Sequence, residues 1–186
     1  AAKMRRLYQI AVVAALIVTA FAISGCSTPY PRQQPTGDVF PSVKATALDE
    51  RTISIPSDFA GQEALLFIGY EMDSQFDIDR WLLGLSQLSL DVPVYEVPTL
   101  PGLFPGMFAN VINNGMRSGI PQEDWAIVAT VYDDGEVIAR FLGNETPLPA
   151  RVVLLDKEGR VAFFHDRGYS TNTLLRLKEA LAALRS

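Results

Sequence analysis

Apolar residues in this chain fall into short continuous runs and into longer stretches with a spacing of three or four. Ala64 to Tyr70 is a continuous apolar run, which is typical of a central strand covered on both faces. Asp73 or Ser74 then stands where a helix would be capped, ahead of apolar residues at helical spacing. These residues are Ile78, Trp81, Leu82, Leu85 and Leu88. The pattern predicts a strand, a loop and a helix.

A second strand and helix are predicted next in the sequence. Val92 to Val97 has the composition of a strand, and Pro101 and Pro105 introduce a helix that we expect to stop at 113–115, Asn-Asn-Gly. One face of that helix carries apolar residues, namely Phe104, Met107, Phe108, Val111 and Ile112. Ala126 to Tyr132 then predicts a third strand.

The last third of the chain carries a hairpin and a helix. Val152 to Leu155 and Arg160 to Phe164 flank a turn of Asp, Lys, Glu and Gly, which predicts two antiparallel strands. Ser170 or Thr171 caps a final helix with a buried stripe. The stripe consists of Leu174, Leu177, Leu181 and Leu184. The order of elements predicts an α/β fold, with a mixed sheet, helices on both faces and one domain over 39–186.

The amino-terminal segment has the order of a secretion signal. Lys3, Arg5 and Arg6 precede an apolar run that is shorter than the ~20 residues needed to span a bilayer, and Ile23-Ser24-Gly25-Cys26 follows. The last four residues resemble the lipobox of bacterial lipoproteins. The resemblance implies that residues 1–25 are a signal peptide and that Cys26 is acylated as the new amino terminus. An uncleaved membrane helix is the alternative.

Lipidation at Cys26 would tether the domain to a membrane, because more than one acyl chain gives stable attachment. Residues 26–38 contain three prolines and no apolar period, so we expect them to form a flexible linker. Ser27 after the cysteine resembles the pattern of lipoproteins sent to the outer membrane. The expected location is therefore extracytoplasmic, at the periplasmic face of the outer membrane in a Gram-negative cell.

Charge and cysteine content narrow the possible chemistry. The formal net charge is −5, and loss of Lys3, Arg5 and Arg6 with the signal leaves −8, which argues against a nucleic-acid partner. Hydrophobic residues make up 48% of the chain, enough for a packed core. Cys26 is the one cysteine in the sequence, so no disulfide can form within the chain.

The carboxy-terminal third resembles the second half of a thioredoxin-like domain. Val131-Tyr132-Asp133, the segment from Gly135 to Gly143 and the segment from Leu154 to Val161 carry this likeness, which extends over 39–184. The resemblance implies a short helix after Asp133. It also places Pro149 near the family's cis-proline, although its spacing to Asp156 is one residue longer than usual.

Three further motifs resemble a cysteine-poor branch that includes the mitochondrial ATP-synthase assembly factors. They are Phe40-Pro41, the segment from Asn114 to Pro121, and the segment from Val153 to Arg160. The likeness implies a role in binding or assembly.

The position of the thioredoxin-like redox pair holds no cysteine here. That stretch, Gly69 to Asp77, contains no sulfur nucleophile, so we expect no thiol-disulfide exchange, no peroxide reduction and no enzyme activity. Sco-type metal binding needs two cysteines and a histidine, and the chain has only His165. We therefore expect neither a cofactor nor a bound metal.

Two hypotheses follow from the missing cysteines. In the first, the domain binds an unidentified extracytoplasmic protein or peptide, in assembly or envelope maintenance, at one end of the sheet. The residues placed there are Tyr70, Glu71, Asp73, Gln75, Trp125 and Pro149. In the second, the acidic loop from Glu71 to Asp79 serves a metal-assisted or hydrolytic enzyme. Helix capping and first-turn charge also account for these carboxylates.

Cys26→Ala tests the lipoprotein interpretation. We expect the variant to accumulate as an unprocessed precursor without acyl label, because Cys26 is the one thiol that the chain offers for acylation. Metabolic labelling with a fatty-acid probe measures this directly, with Ser27→Ala as the control that keeps the label. Unchanged labelling of Cys26→Ala would contradict the interpretation.

Overall fold

The computed structural model describes residues 29–102 and 109–186. Within these ranges the strands are β1 (Val43–Ala47), β2 (Thr52–Ile55), β3 (Ala64–Gly69), β4 (Val94–Pro98), β5 (Ala129–Thr130), β6 (Arg151–Leu155) and β7 (Val161–His165). The α-helices are α1 (Gln75–Leu88), α2 (Ala109–Gly119), α3 (Gly135–Leu142) and α4 (Thr171–Leu184). Short 3-10 turns cover Ser57–Phe59, Met72–Ser74 and Gln122–Asp124.

The strands form two sheets that meet along β4 and β5. One sheet has the order β4-β3-β6-β7, in which β3 is parallel to β4 and antiparallel to β6. The other has the order β2-β1-β5 and is antiparallel. Backbone bonds join them, with Glu96 N donating to Ile127 O at 2.9 Å and Leu100 N to Val131 O at 3.0 Å. This mixed α/β architecture in one domain confirms the predicted fold class.

Both faces of the central strand β3 are buried, as its continuous apolar run predicts. Leu65 and Phe67 pack with Trp81 in the core beneath α1 and α4. Leu66 and Ile68 point the other way and pack with residues of α3 and the β1–β2 hairpin. The helices therefore cover both faces of the sheet, which confirms the order derived from periodicity.

Elements with strong local signals agree with the structure. The β6–β7 hairpin and α4 are present, and Ser170 Oγ accepts a hydrogen bond from Thr173 N at 3.1 Å at the start of α4. The short helix implied after Asp133 is α3. The β1–β2 hairpin was missed, although Val43, Ala45 and Ala47 alternate as a half-buried strand should.

The expected end of α2 was wrong. The helix runs through Asn113 and Gly115 to Gly119, and Asn113 is buried and accepts a hydrogen bond from the Tyr132 hydroxyl. A single Asn or Gly costs at most about 1 kcal/mol against Ala in a helix, which packing readily offsets. Val111, expected on the buried face, is 73% exposed. Ile112 is half-buried. The other three predicted face residues, Phe104, Met107 and Phe108, lie outside the described residues.

The third predicted strand, Ala126 to Tyr132, is also much shorter than expected. Only Ala129 and Thr130 form β5, with single bridges from Val128 to Glu96 and from Val131 to Thr99.

Residues 29–40, here called the leader, lie against the domain. Tyr30 N donates to Asn144 Oδ1 at 2.7 Å, and Tyr30 O accepts from the backbone N–H groups of Asn144 and Glu145 at 3.1 and 3.0 Å. Arg32 Nε contacts Asp166 Oδ2 at 2.6 Å. Further along, Val161 N donates to Asp38 O at 2.9 Å. The described part of the expected linker thus contacts the domain from Tyr30 onward.

The expected signal peptide and Cys26 lie outside the described residues. In the ranges that the structure covers, no helix is long and apolar enough to cross a bilayer.

Gly143 permits the close approach of the leader. Its φ is +78°, and a Cβ there would lie 2.6 Å from the Pro31 carbonyl oxygen. Gly61 has a similar φ of +85° with nothing within 4 Å of a Cβ, so it offers a matched control. Both glycines have a positive φ, so each Gly→Ala change carries a backbone cost, but only the change at Gly143 also places a Cβ against the leader.

We expect Gly143→Ala to expose the leader to protease. Trypsin should cleave after Arg32 about fivefold faster than in the parent, since about 1 kcal/mol of docking free energy is lost. Gly61→Ala should leave this cleavage rate unchanged, and mass spectrometry of the released fragments measures both. Equal rates in the two variants would show that Gly143 does not govern the docking.

Candidate functional site

An open groove of about 770 Å³ lies between α1 and α2, above β4 and β5. Pro98, Val128 and Thr130 of the strands form its floor. The loop after β3 and the first turn of α1 form one wall, and α2 forms the other. A cleft of this size falls within the range of ligand-binding sites.

The walls of the groove are largely apolar. Met72, on the loop side, is 91% exposed, and Ile112 and Met116 are half-buried on the α2 side. The spacing of Ile112 and Met116 is i, i+4, which puts both on the face of α2 that lines the groove. Methionine side chains adapt to ligands of irregular shape. The groove therefore offers exposed apolar surface on both sides.

One end of the groove is acidic. Glu96, Asp79 and Asp124 all line it, and the Gln75 amide donates to Asp79 Oδ1 and to Glu96 Oε2, each at 3.0 Å. Burial raises the pKa of Glu96, and the charges of Asp79 and Asp124 raise it further, while the hydrogen bond from Gln75 lowers it. Across the described ranges, no lysine or arginine forms a salt bridge with these three carboxylates.

Thr130 places a buried hydroxyl at the floor of the groove. Its neighbours Ala129 and Val131 pack in the core on the opposite side, so alternation turns the Thr130 side chain toward the groove. Thr130 is fully buried, and its Oγ1 makes no hydrogen bond of good geometry among the described residues. The Tyr132 hydroxyl donates its own hydrogen to Asn113 Oδ1, and it lies near enough to Thr130 that, although burial raises the pKa of Tyr132, the Thr130 hydroxyl lowers it as a hydrogen-bond donor.

The wall formed by Tyr70 is held from behind by Arg151. The Arg151 guanidinium lies 4.8 Å from the centre of the Tyr70 ring and is buried. It donates to four backbone carbonyls, those of Gly143 at 3.1 Å, Thr146 at 2.8 Å, Pro147 at 3.5 Å and Pro149 at 2.7 Å. Burial lowers the pKa of Arg151 and raises that of Tyr70, and the opposing Coulomb interaction between the two groups reduces both shifts. Tyr70 is thus largely buried and shapes the groove.

The structure brings together part of the set proposed for partner binding. Tyr70, Glu71 and Gln75 line the groove, whereas Asp73 is exposed beside it. Trp125 lies outside the lining, with its Nε1 donating to Ile120 O at 3.0 Å and Arg117 stacked 5.5 Å from its ring. Pro149 also lies outside it, and its peptide bond is trans.

The acidic loop does not gather its carboxylates at one point. Asp77 is buried and accepts hydrogen bonds from Ala150 N at 3.1 Å and Tyr169 N at 2.7 Å, which ties α1 to the loops before β6 and α4. His165 Nε2 lies 2.8 Å from Gly168 O. Over 29–102 and 109–186, no three His, Cys, Asp or Glu side chains cluster to hold a metal ion.

Several residues of the groove were not identified from the sequence. Glu96 interrupts the apolar strand Val94–Pro98, and a charged residue inside such a strand was an available signal. Ile112 was assigned to the apolar face of a helix expected to stop at 113–115, so its spacing of four from Met116 was not used. Thr130 carried no signal, because a threonine is ordinary in a strand.

Comparison with known proteins supports the fold. No protein-family model and no curated protein matches the sequence. Among solved structures, the thioredoxin domain of a thiol-disulfide oxidoreductase from Bacteroides vulgatus is 19% identical, with a TM-score of 0.52 over 80% of this chain and 99% of that one. A Sco-family cytochrome c oxidase assembly protein is 10% identical, with a TM-score of 0.55 over 82% and 97%. A thiol peroxidase from Chromobacterium violaceum is 14% identical, with a TM-score of 0.50 over 83% and 89%.

These structures correct the expectation that the chain is not an enzyme. Thiol-disulfide oxidoreductases and peroxidases share its fold, so enzymatic redox function cannot be dismissed on the lack of a Cys-x-x-Cys pair. The sequence has one cysteine, and a single thiolate is a competent nucleophile when its surroundings lower its pKa. The missing second cysteine excludes only one type of reaction within these 186 residues, the formation and reduction of an internal disulfide. At these identities the likeness shows the fold alone, and the fold of this chain is thioredoxin-like.

Proposed function

We propose that this protein is an extracytoplasmic lipoprotein whose groove binds an extended segment of another envelope protein. The observation that carries the proposal is the groove itself, which presents exposed apolar side chains from the turn before α1 and from α2, with nothing from the described residues covering them. Exposed apolar surface costs free energy in water, and its retention on a folded domain points to a partner.

The chemistry of the groove suits a polypeptide. Apolar walls provide affinity for side chains, while Gln75, Glu71 and Thr130 supply a small number of polar groups that fix orientation. The two walls lie on opposite sides of a floor built from strands, so a segment lying along the groove touches both α1 and α2. Peptide recognition in such clefts combines anchors on alternate residues with a few polar contacts.

The membrane part of the proposal rests on the amino-terminal segment. Ile23-Ser24-Gly25-Cys26 resembles a lipobox, and the leader connects this segment to the domain through Tyr30 and Arg32. A lipidated Cys26 would hold the groove on the extracytoplasmic side, where segments of other envelope proteins are available. The resemblance to assembly factors favours a role in assembly or envelope maintenance.

Photo-cross-linking from the two faces of α2 tests the proposal. We expect a photoreactive amino acid at Met116, which lines the groove, to form a cross-link to a discrete protein in intact cells. The same amino acid at Val111, which is 73% exposed outside the groove, is the matched control and should give no discrete product. Both positions lie on the same helix, so expression and membrane attachment are equal between them.

A substitution in the wall of the groove provides a second test of the proposal. Ile112→Glu should reduce the Met116 cross-link at least about tenfold, because one charge placed on the apolar wall must be desolvated when the partner binds. Circular dichroism should be unchanged, since Ile112 is half-buried at the groove. Equal cross-linking from Met116 and Val111 would contradict the proposed site.

A further inference from the structure

We propose that the groove selects segments in which an arginine or lysine lies among apolar residues. The cation would lie at the end formed by Asp79, Glu96 and Asp124, and a polar group of the same segment would bind the Thr130 hydroxyl. The inference rests on the proposed function, since it names the class of segment that the same groove binds.

Among the described residues, the three carboxylates of the groove form no salt bridge. Two buried acids elsewhere do have cationic partners, since Glu63 lies near Lys157 and Arg185, and Asp166 pairs with Arg32. At the groove, only the neutral Gln75 amide bridges two of the three carboxylates. An amide donates hydrogen bonds but brings no charge, so the mutual repulsion of the three groups remains. A ligand cation would remove it.

Guanidinium and ammonium groups fit this end of the groove. Glu96 is half-buried at the floor, so a charge beside it interacts more strongly than it would in water. A guanidinium can donate to two or three carboxylates at once because its donors are fixed in a planar fork. The apolar walls contributed by Met72 and Met116 would hold the aliphatic stem of the same side chain.

The Thr130 hydroxyl is an independent indication of a ligand. Buried polar groups are nearly always hydrogen-bonded, and a persistent exception needs an explanation. The other unpartnered buried polar side-chain atom among the described residues, Trp81 Nε1, belongs to a fully buried residue packed in the core. Thr130 alone of the two borders the groove, and because it has no exposed surface, a ligand reaches its hydroxyl only if the lining residues above it move aside.

The selectivity should depend on pH and salt. Because burial, Asp79 and Asp124 raise the pKa of Glu96, this carboxylate takes up a proton at a higher pH than an ordinary glutamate. The charge facing the cation therefore falls as the pH drops through that range, and the preference for a basic segment falls with it. Added salt weakens the same preference by screening.

The test uses three fluorescent heptapeptides of the form Gly-Val-Leu-Xaa-Leu-Val-Gly, with Xaa as arginine, citrulline or glutamate. Citrulline has the shape of arginine without its charge. With the full lipidated chain in one detergent at neutral pH and low salt, we expect the arginine peptide to bind about tenfold more tightly than the citrulline peptide. The glutamate peptide should bind most weakly.

Two variants separate the contributions. Glu96→Gln should abolish most of the preference for arginine over citrulline, while Glu158→Gln, which removes an exposed charge outside the groove, should leave it intact. Thr130→Val should weaken both peptides by a similar factor of about five, since it removes one hydrogen bond. Neither groove variant should lower the Tm, because one loses a repelled charge and the other an unpaired buried hydroxyl.

The possible results distinguish failure of this inference from failure of the proposed function. Equal binding of the arginine and citrulline peptides to the parent protein overturns the inference and leaves the proposed function standing. The same holds if Glu158→Gln lowers the preference as much as Glu96→Gln, since the effect is then one of net charge. Failure of every peptide to bind, together with loss of the Met116 cross-link, overturns the proposed function as well.

Discussion

The buried guanidinium of Arg151 connects the parts of the molecule on which the site depends. Burying a charge is costly unless its donors are satisfied, and none of the described carboxylates forms a salt bridge with Arg151. Backbone carbonyls of the loop between α3 and β6 accept its hydrogens, and the Tyr70 ring lies against its face. The loop must therefore fold around Arg151, and Tyr70 must remain on the guanidinium for the site to keep its shape.

From that group, contacts extend in two directions. Toward the groove, Tyr70 continues into Glu71 and Met72, so the position of the ring sets the loop-side wall. Toward the amino terminus, the carbonyl held by Arg151 belongs to Gly143, against which the Pro31 backbone packs, and Asn144 then binds Tyr30. The leader and the loop-side wall of the groove thus both depend on Arg151 and on the loop that folds around it.

Periodicity predicted most of the fold, because β3, the β6–β7 hairpin and α4 each bury a face that their own residues define. It failed where contacts between residues far apart in the sequence determine the local structure. Asn113 continues α2 because Tyr132 binds its side chain, and Tyr30 is held by Asn144, 114 positions away. The same limit applies to the site. Connectivity placed Tyr70, Glu71 and Gln75 at one end of the sheet, and Glu96 was visible as a charge inside an apolar strand, but Thr130 stands out only once its burial is known.

The docking of the leader changes how much space the domain could search from a membrane anchor. A freely extended chain from residue 26 to residue 39 would reach about 45 Å, whereas the four steps from Cys26 to Tyr30 reach about 14 Å. With Cys26 lipidated as proposed, the volume open to the domain shrinks roughly thirtyfold, in proportion to the cube of that reach. A groove held this close to the membrane encounters only segments that emerge next to the bilayer. It encounters them at high effective concentration.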